Sequence, residues 1–266
     1  MKRFFASRPS YAPIALLTDF GSEDSYVGTM KGVIASLHPD VRTIDICHSV
    51  SRQNVREAAY LLWSSYPFFP QGTVFVVVVD PGVGTDRRIL LLRIASRWFL
   101  APDNGVLDFV VGDQVVESAT SIALENSRYI LSPLSNTFHG RDVFAPIGAF
   151  VSLGVPPEEF GKKSDVPLPQ NKFVSAKRAR FASILHIDRF GNIITDVRPT
   201  PKNLPKGLSI RGKSIRRWVR TYEEAPSGSP CLIIGSSGLL EVCVKNDHAA
   251  KKLKARTGSP IRVLWA

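Results

Sequence analysis

Val74-Phe75-Val76-Val77-Val78-Val79-Asp80-Pro81-Gly82-Val83-Gly84 is the stretch from which the fold can be read. An unbroken apolar run of strand length has no solvent-facing side, and strands buried on both faces belong to parallel sheets. The run ends on a carboxylate followed by glycines that permit a tight turn and a close approach of backbone to a ligand. In open α/β sheets, ligands bind in the crevice outside the carboxyl ends of the strands, so an acid at that position is a candidate site residue.

Outward from this strand the pattern alternates. Ile14–Thr18 is a shorter apolar run closed by Asp19-Phe20-Gly21. The spacing of Val27, Met30, Val33, Ile34 and Leu37 then predicts a helix over 24–37. Val41–Ile46 reads as a strand, and Val55, Ala58, Ala59, Leu62 and Trp63 as an amphipathic helix. Past Gly84 come two β-like runs, Ile89–Ile94 and Trp98–Ala101, closed by the turn Asp103-Asn104-Gly105. A further helix begins near Asp142, which is placed to cap it, and stops at Gly154 and Pro156. The alternation predicts an α/β fold with a doubly wound, mainly parallel sheet.

A proline-rich stretch around 156–170 breaks the pattern, and beyond it the sequence reads as all β. The expected organisation is an N-terminal α/β domain over 1–160, a linker over 161–172, and a smaller barrel-like β domain over 173–266. Charge changes at the same place. Residues 1–171 hold 15 Lys+Arg against 17 Asp+Glu, a net of −2, whereas 172–266 hold 19 against 6, a net of +13. That imbalance raises a non-catalytic nucleic-acid-binding module as an alternative, but no RNP, KH or C₂H₂ signature accompanies it. A solvated basic surface is the simpler account, and specific nucleic-acid binding is not expected. No apolar run reaches the ~18 residues of a membrane helix, and the basic N-terminus lacks the apolar core of a signal peptide. The three cysteines, Cys47, Cys231 and Cys243, show no CxxC spacing. A reduced cytoplasmic setting without a metal centre is therefore expected.

Three further positions carry chemistry. Asp19 can accept hydrogen bonds from a vicinal diol, or it can cap the following helix; its position alone favours neither. Arg87, seven residues beyond Asp80, can fold back onto that carboxylate. His139 stands in the polar loop Asn136-Thr137-Phe138-His139-Gly140-Arg141-Asp142, away from any apolar stripe.

Taken together, LLTDFG with DSYVGTMKG, VDPGVGTDRR, APDNG, NTFHGRDVFAP, IDRFGN and SSGLLEV resemble, in order and spacing, the S-adenosylmethionine hydroxide adenosyltransferases, relatives of the fluorinating and chlorinating enzymes. The resemblance implies hydrolysis of S-adenosylmethionine to adenosine and methionine, without a cofactor, in a homotrimer with sites between neighbouring subunits. It also implies a catalytic set of Asp80, Arg87 and His139 that handles water, and Asp19 at the ribose. Asn104, Asp188, Phe190, Asn192 and Ser236 match substrate-binding positions, with Glu241 and Val244 in the adjacent strand. The halogenating relatives carry tyrosine at the positions of Asp80 and His139, and the fluorinating branch has a halide-holding serine at Gly140. A carboxylate repels a halide, so the residues here fit the hydroxide branch; a halide-using enzyme of the same fold and a sensor without turnover are the remaining alternatives. Ser237 and Lys245 depart from the family pattern near the methionine end.

Overall fold

A computed structural model describes residues 11–125, 128–167, 169–173 and 180–265. The chain divides into two compact units, Met1–Asn171 and Lys172–Ala266.

The first unit contains β1 (Ile14–Thr18), α1 (Tyr26–Leu37), β2 (Thr43–Cys47), α2 (Val55–Ser65), β3 (Val74–Val78), β4 (Ile89–Ile94), β5 (Arg97–Pro102), α3 (Asp108–Asp113), β6 (Val116–Ile122), α4 (Ala145–Ser152) and β7 (Gly161–Lys163). Its sheet runs β2-β1-β3-β5-β4-β6-β7. The pairs β1–β2, β1–β3 and β3–β5 are parallel. The pairs β4–β5, β4–β6 and β6–β7 are antiparallel. The sheet is thus mixed, with its parallel half around the strand that announced it. The reason is local: Ala95 and Ser96 both take positive φ and make a tight hairpin between β4 and β5, so β4 returns antiparallel.

Every residue of β1 and β3 is buried. Ile14, Leu16, Val74 and Val76 share a core cluster with Met30 and Ile34 of α1 and Ile147 and Ala149 of α4. Alternation turns Ala15, Leu17, Phe75 and Val77 to the opposite face, the side of α2, which packs on β1 and β2 and carries α3. Phe75 stacks on Phe99 with centroids 4.8 Å apart. Each such fully buried side chain contributes ~1.5–3 kcal/mol relative to exposure. Helices on both faces leave the strand ends as the open part of this unit.

Residues 161–163, at the start of the stretch read as a linker, pair with β6 as β7. Further along it, the backbone N–H groups of Gln170 and Asn171 donate to the buried Asp108 carboxylate at 3.1 and 2.8 Å.

The second unit contains β8 (Phe181–Ile187), β9 (Ile193–Thr195), β10 (Gly207–Ile210), β11 (Lys213–Ile215), β12 (Cys231–Ile234), β13 (Leu240–Cys243), α5 (Ala249–Leu253) and β14 (Pro260–Leu264). Its strands run β11-β10-β14-β8-β9-β13-β12, every pair antiparallel. This barrel-like sheet encloses a core of Ile184, Ile193, Leu208, Leu232, Val242 and Val263, closed by Leu253 of α5.

Candidate active site

The loops after β1 and β2 are laced together at the strand ends. Gly21 N–H donates to the His48 carbonyl at 2.7 Å. Thr18 Oγ1 lies 2.9 Å from His48 Nδ1, and His48 Nε2 lies 3.1 Å from Asp45 Oδ1. Asp19 Oδ2 accepts the backbone N–H of Gln53 at 2.8 Å. Gln53 is held at φ 60° to make that reach, a left-handed conformation that costs a non-glycine residue ~1 kcal/mol or more. Asp19 therefore does not cap α1: the cap position is Ser25, which makes no side-chain cap bond. Its Oδ1 has no protein partner among the described residues.

Asp80 follows β3, and Arg87 returns to it across the 81–86 turn. Arg87 Nε lies 3.0 and 2.9 Å from the two Asp80 oxygens, and Nη2 also bonds Oδ2. This fork-on-carboxylate pairing is stronger and more directional than an exposed ion pair. It is also well sheltered, with the Asp80 and Arg87 side chains 4% and 10% exposed. Arg87 Nη2 lies 2.9 Å from His139 Nδ1 as well. A guanidinium can only donate, so Nδ1 is the acceptor and the imidazole is neutral with its proton on Nε2. Burial, and then the Arg87 charge, hold the His139 pKa below its ordinary value against the pull of Asp80 and Asp142. Arg87 Nη1 is buried without a partner among the described residues.

His139 is carried by the turn that opens α4. Gly140–Phe144 form a π-helical turn, a widening that often marks functional sites. Asp142 lies inside this turn and does not cap α4, contrary to expectation. Its Oδ2 accepts Ser135 N–H at 2.9 Å, and Arg141 bonds both its oxygens. Burial pushes this carboxyl up, but Arg141 and Ser135 outweigh it and its pKa lies below the ordinary value. Asp142 thereby ties the 131–139 loop to the helix and fixes where His139 stands. Gly84 touches the same loop at φ +79°, with a Cβ there falling 2.3 Å from the Asn136 carbonyl oxygen. Only glycine lets the Asp80 loop and the His139 loop meet so closely.

Asp19, Asp80 and His139 line one cavity of about 350 Å³ together with Phe20, Tyr26 and Phe138. Asn104 is not on its wall: Nδ2 donates to the Val79 carbonyl at 2.9 Å, and Oδ1 accepts Val106 N–H at 3.2 Å. Its side chain anchors the end of β3.

The second unit has a cavity of its own, about 600 Å³, lined by Asp188, Phe190, Asn192, Tyr222, Val244 and Lys245 among others. Asp188 is largely spent on its own turn. Oδ1 accepts Phe190 N–H and Asn192 N–H at 3.0 and 2.8 Å, and Oδ2 accepts Asn192 Nδ2 at 2.9 Å. That turn pushes the Phe190 ring outward, 78% exposed. Glu241 is buried and off the cavity wall, with the Tyr222 hydroxyl donating to it at 3.2 Å. Burial, with Asp188 nearby, raises the Glu241 pKa, and burial beside Glu241 raises that of Tyr222. Ser236 is exposed in the β12–β13 turn and outside this cavity. Tyr222 escaped the sequence reading because it stands in an irregular charged segment with no periodicity.

These features define a two-domain protein: an α/β unit with a carboxylate–guanidinium–imidazole cluster at its strand ends, and an antiparallel β unit with an aromatic-walled cavity. Residues 14–161 match the S-adenosylmethionine hydroxide adenosyltransferase N-terminal domain and residues 182–262 the C-terminal domain, and the chain belongs to this family. It is 36% identical to the (R)-S-adenosyl-L-methionine hydrolase of Thermus thermophilus, covering 95% of this chain and 99% of that protein. Against the enzyme of the same name from Methanocaldococcus jannaschii, identity is 34% over 95% of each chain. A fluorinase of Actinopolyspora mzabensis is more distant, at 26%. A solved structure of an uncharacterized conserved protein from Thermotoga maritima superposes with a TM-score of 0.82 at 30% identity, covering 94% of this chain and 99% of that one.

Proposed function

We propose that this protein hydrolyses S-adenosyl-L-methionine to adenosine and L-methionine by in-line attack of water on ribose C5′. The observation that carries the reading is the sheltered Asp80–Arg87–His139 cluster beside Asp19, in a chain whose relatives along nearly its whole length are named (R)-S-adenosyl-L-methionine hydrolase.

As the water O–C5′ bond forms, the C5′–S bond breaks. Its electron pair stays on sulfur, which leaves as the neutral thioether of methionine, and the proton passes to the cluster. Free water has a pKa of about 15.7, so it needs alignment and a base, which typically contributes ~10²–10⁴-fold. Asp80, aimed by Arg87, is the proton acceptor, while neutral His139, whose Nδ1 already accepts from Arg87, can hold the water oxygen through its Nε2–H. The Asp80 carboxylate would repel a halide. The open Asp19 Oδ1 suits the ribose diol. Phe190, Asn192 and Val244, on the wall of the second cavity, are assigned to the remainder of the substrate. Asp188 acts there by shaping their turn, and Glu241 through Tyr222. Each site is completed between subunits of a homotrimer in the cytoplasm, and no cofactor takes part.

Incubation with S-adenosyl-L-methionine in heavy-oxygen water tests the reading. The expected products are methionine and adenosine carrying the label at its 5′ oxygen. Absence of turnover, or a 5′-halonucleoside when chloride is supplied, would sink it.

A further inference from the structure

Three aromatic rings meet on the wall of the cavity that Asp19, Asp80 and His139 line. Tyr26 opens α1, Phe20 follows Asp19, and Phe138 precedes His139. Their centroids are 5.5 Å apart for Phe20–Tyr26, 5.9 Å for Phe20–Phe138 and 5.0 Å for Tyr26–Phe138. The interplanar angles are 50°, 74° and 82°, so the rings form a corner, not a stack. Gly140 makes room for it: a Cβ there would press on Phe138 and Phe20 at 3.1 and 3.2 Å. Tyr26 is 45% exposed, too open for a core residue of this size. All three rings border the cavity that holds Asp80 and His139.

Ring faces carry negative potential, and aromatic side chains that present a face to a cavity are how proteins hold alkylated cations. A sulfonium is such a cation. These rings pack on one another and line the cavity side by side. Phe138 already has one cation over it, the Arg141 guanidinium at 5.4 Å, whose charge is matched by Asp142. Phe20 and Tyr26 have no cation of their own among the described residues.

We infer that Phe20, Tyr26 and Phe138 form an aromatic corner that receives the sulfonium of the substrate and sets specificity for the charged ligand over its neutral thioether. The inference rests on the S-adenosyl reading above and adds the group that recognises the positive sulfur. It places the cage on the reacting unit, so the charge that vanishes on bond breaking is one the rings hold in the substrate and release in the product. Methionine, neutral at sulfur, loses that hold.

Calorimetry with two unreactive ligands tests it: S-adenosylhomocysteine, neutral at sulfur, and the aza analogue with an N-methylammonium in place of the sulfonium. The parent protein should bind the aza analogue more tightly. Tyr26→Leu should narrow that gap by roughly 2- to 30-fold, the range of a single such contact, by weakening the aza analogue alone. Tyr26→Phe should keep the gap, because it keeps the ring and loses only the hydroxyl. Carboxylates near the cavity attract the cation equally in all three proteins and cancel. Equal affinity of the parent for both ligands, or an equal loss of both in Tyr26→Leu, would overturn the cage and leave the S-adenosyl reading standing. Failure of the parent to bind either would overturn both.

Discussion

Asp80 is the residue on which the chemistry turns. Asp80→Asn keeps the shape but removes the charge that one edge of the Arg87 guanidinium grips through three contacts. Turnover is expected to fall ~10²–10⁴-fold, the contribution of a positioned base, while adenosine affinity stays near the parent's. Single-turnover rates beside adenosine titrations check this, and a fully active variant would remove Asp80 from the mechanism. Asp19→Ala is expected to act oppositely, weakening adenosine by ~1.5–3 kcal/mol for lost bonds to a charged acceptor, with calorimetry as the readout. His139 sets a pH dependence. Its pKa lies below the ordinary 6.5, so the neutral ring persists on acidification past the point where a free histidine charges. The acid limb of kcat/KM assigned to His139 should therefore fall below pH 6.5. Replacing Arg87 by glutamine removes a positive neighbour and should move that limb upward; a limb that stays put would mean Arg87 does not govern the imidazole. Asp80 was legible in the sequence because an acid directly after an all-apolar strand has one place to be. The roles of Asn104 and Asp188 were not. Both are polar residues in site-like turns, and only the bonds each makes to neighbouring backbone reveal that their side chains are already engaged.

At the scale of elements, two loops must touch for Arg87 to reach both Asp80 and His139. Gly84 is their contact point. Gly84→Ala adds a methyl where the Asn136 carbonyl lies and forces a positive φ on alanine. A loss of about 1 kcal/mol or more is expected for the backbone conformation alone, together with a drop in kcat larger than the change in melting temperature would explain. Parallel measurement of kcat and thermal unfolding decides it, and parent-like kcat would show that the loops can part without consequence. The same contrast explains what the sequence disclosed of the elements. β1 and β3 are unbroken apolar runs and α2 carries a helical apolar period, so all three were visible. β6, with the sequence VESATSI, alternates polar and small residues on a half-exposed face, and its strand character comes from pairing with β4 and β7. β7 and β11 are three residues each, below the length at which any period can be read.

For the whole molecule, the proposed trimer can be tested through the candidate residues. Asp19, Asp80 and His139 belong to one unit and Phe190, Asn192 and Val244 to the other. If each site is completed between subunits, mixing an Asp80-defective protein with an Asn192-defective one should restore part of the activity, since a mixed trimer contains one intact pairing of good halves. Light scattering that finds an active monomer would refute the trimer, and failure to complement after proven subunit exchange would place each site within one chain. The jump in charge between residues 1–171 and 172–266 falls where the chain divides into its two compact units. A different consequence follows from the rim of the first sheet. β7 is its last strand, only three residues long, and both Lys162 and Lys163 are exposed. A foreign strand seeking backbone partners there finds a short ladder and two positive charges to accommodate. The sheet is thus guarded against growing from molecule to molecule into cross-β aggregates, at the rim where its hydrogen-bonding groups would otherwise lie open.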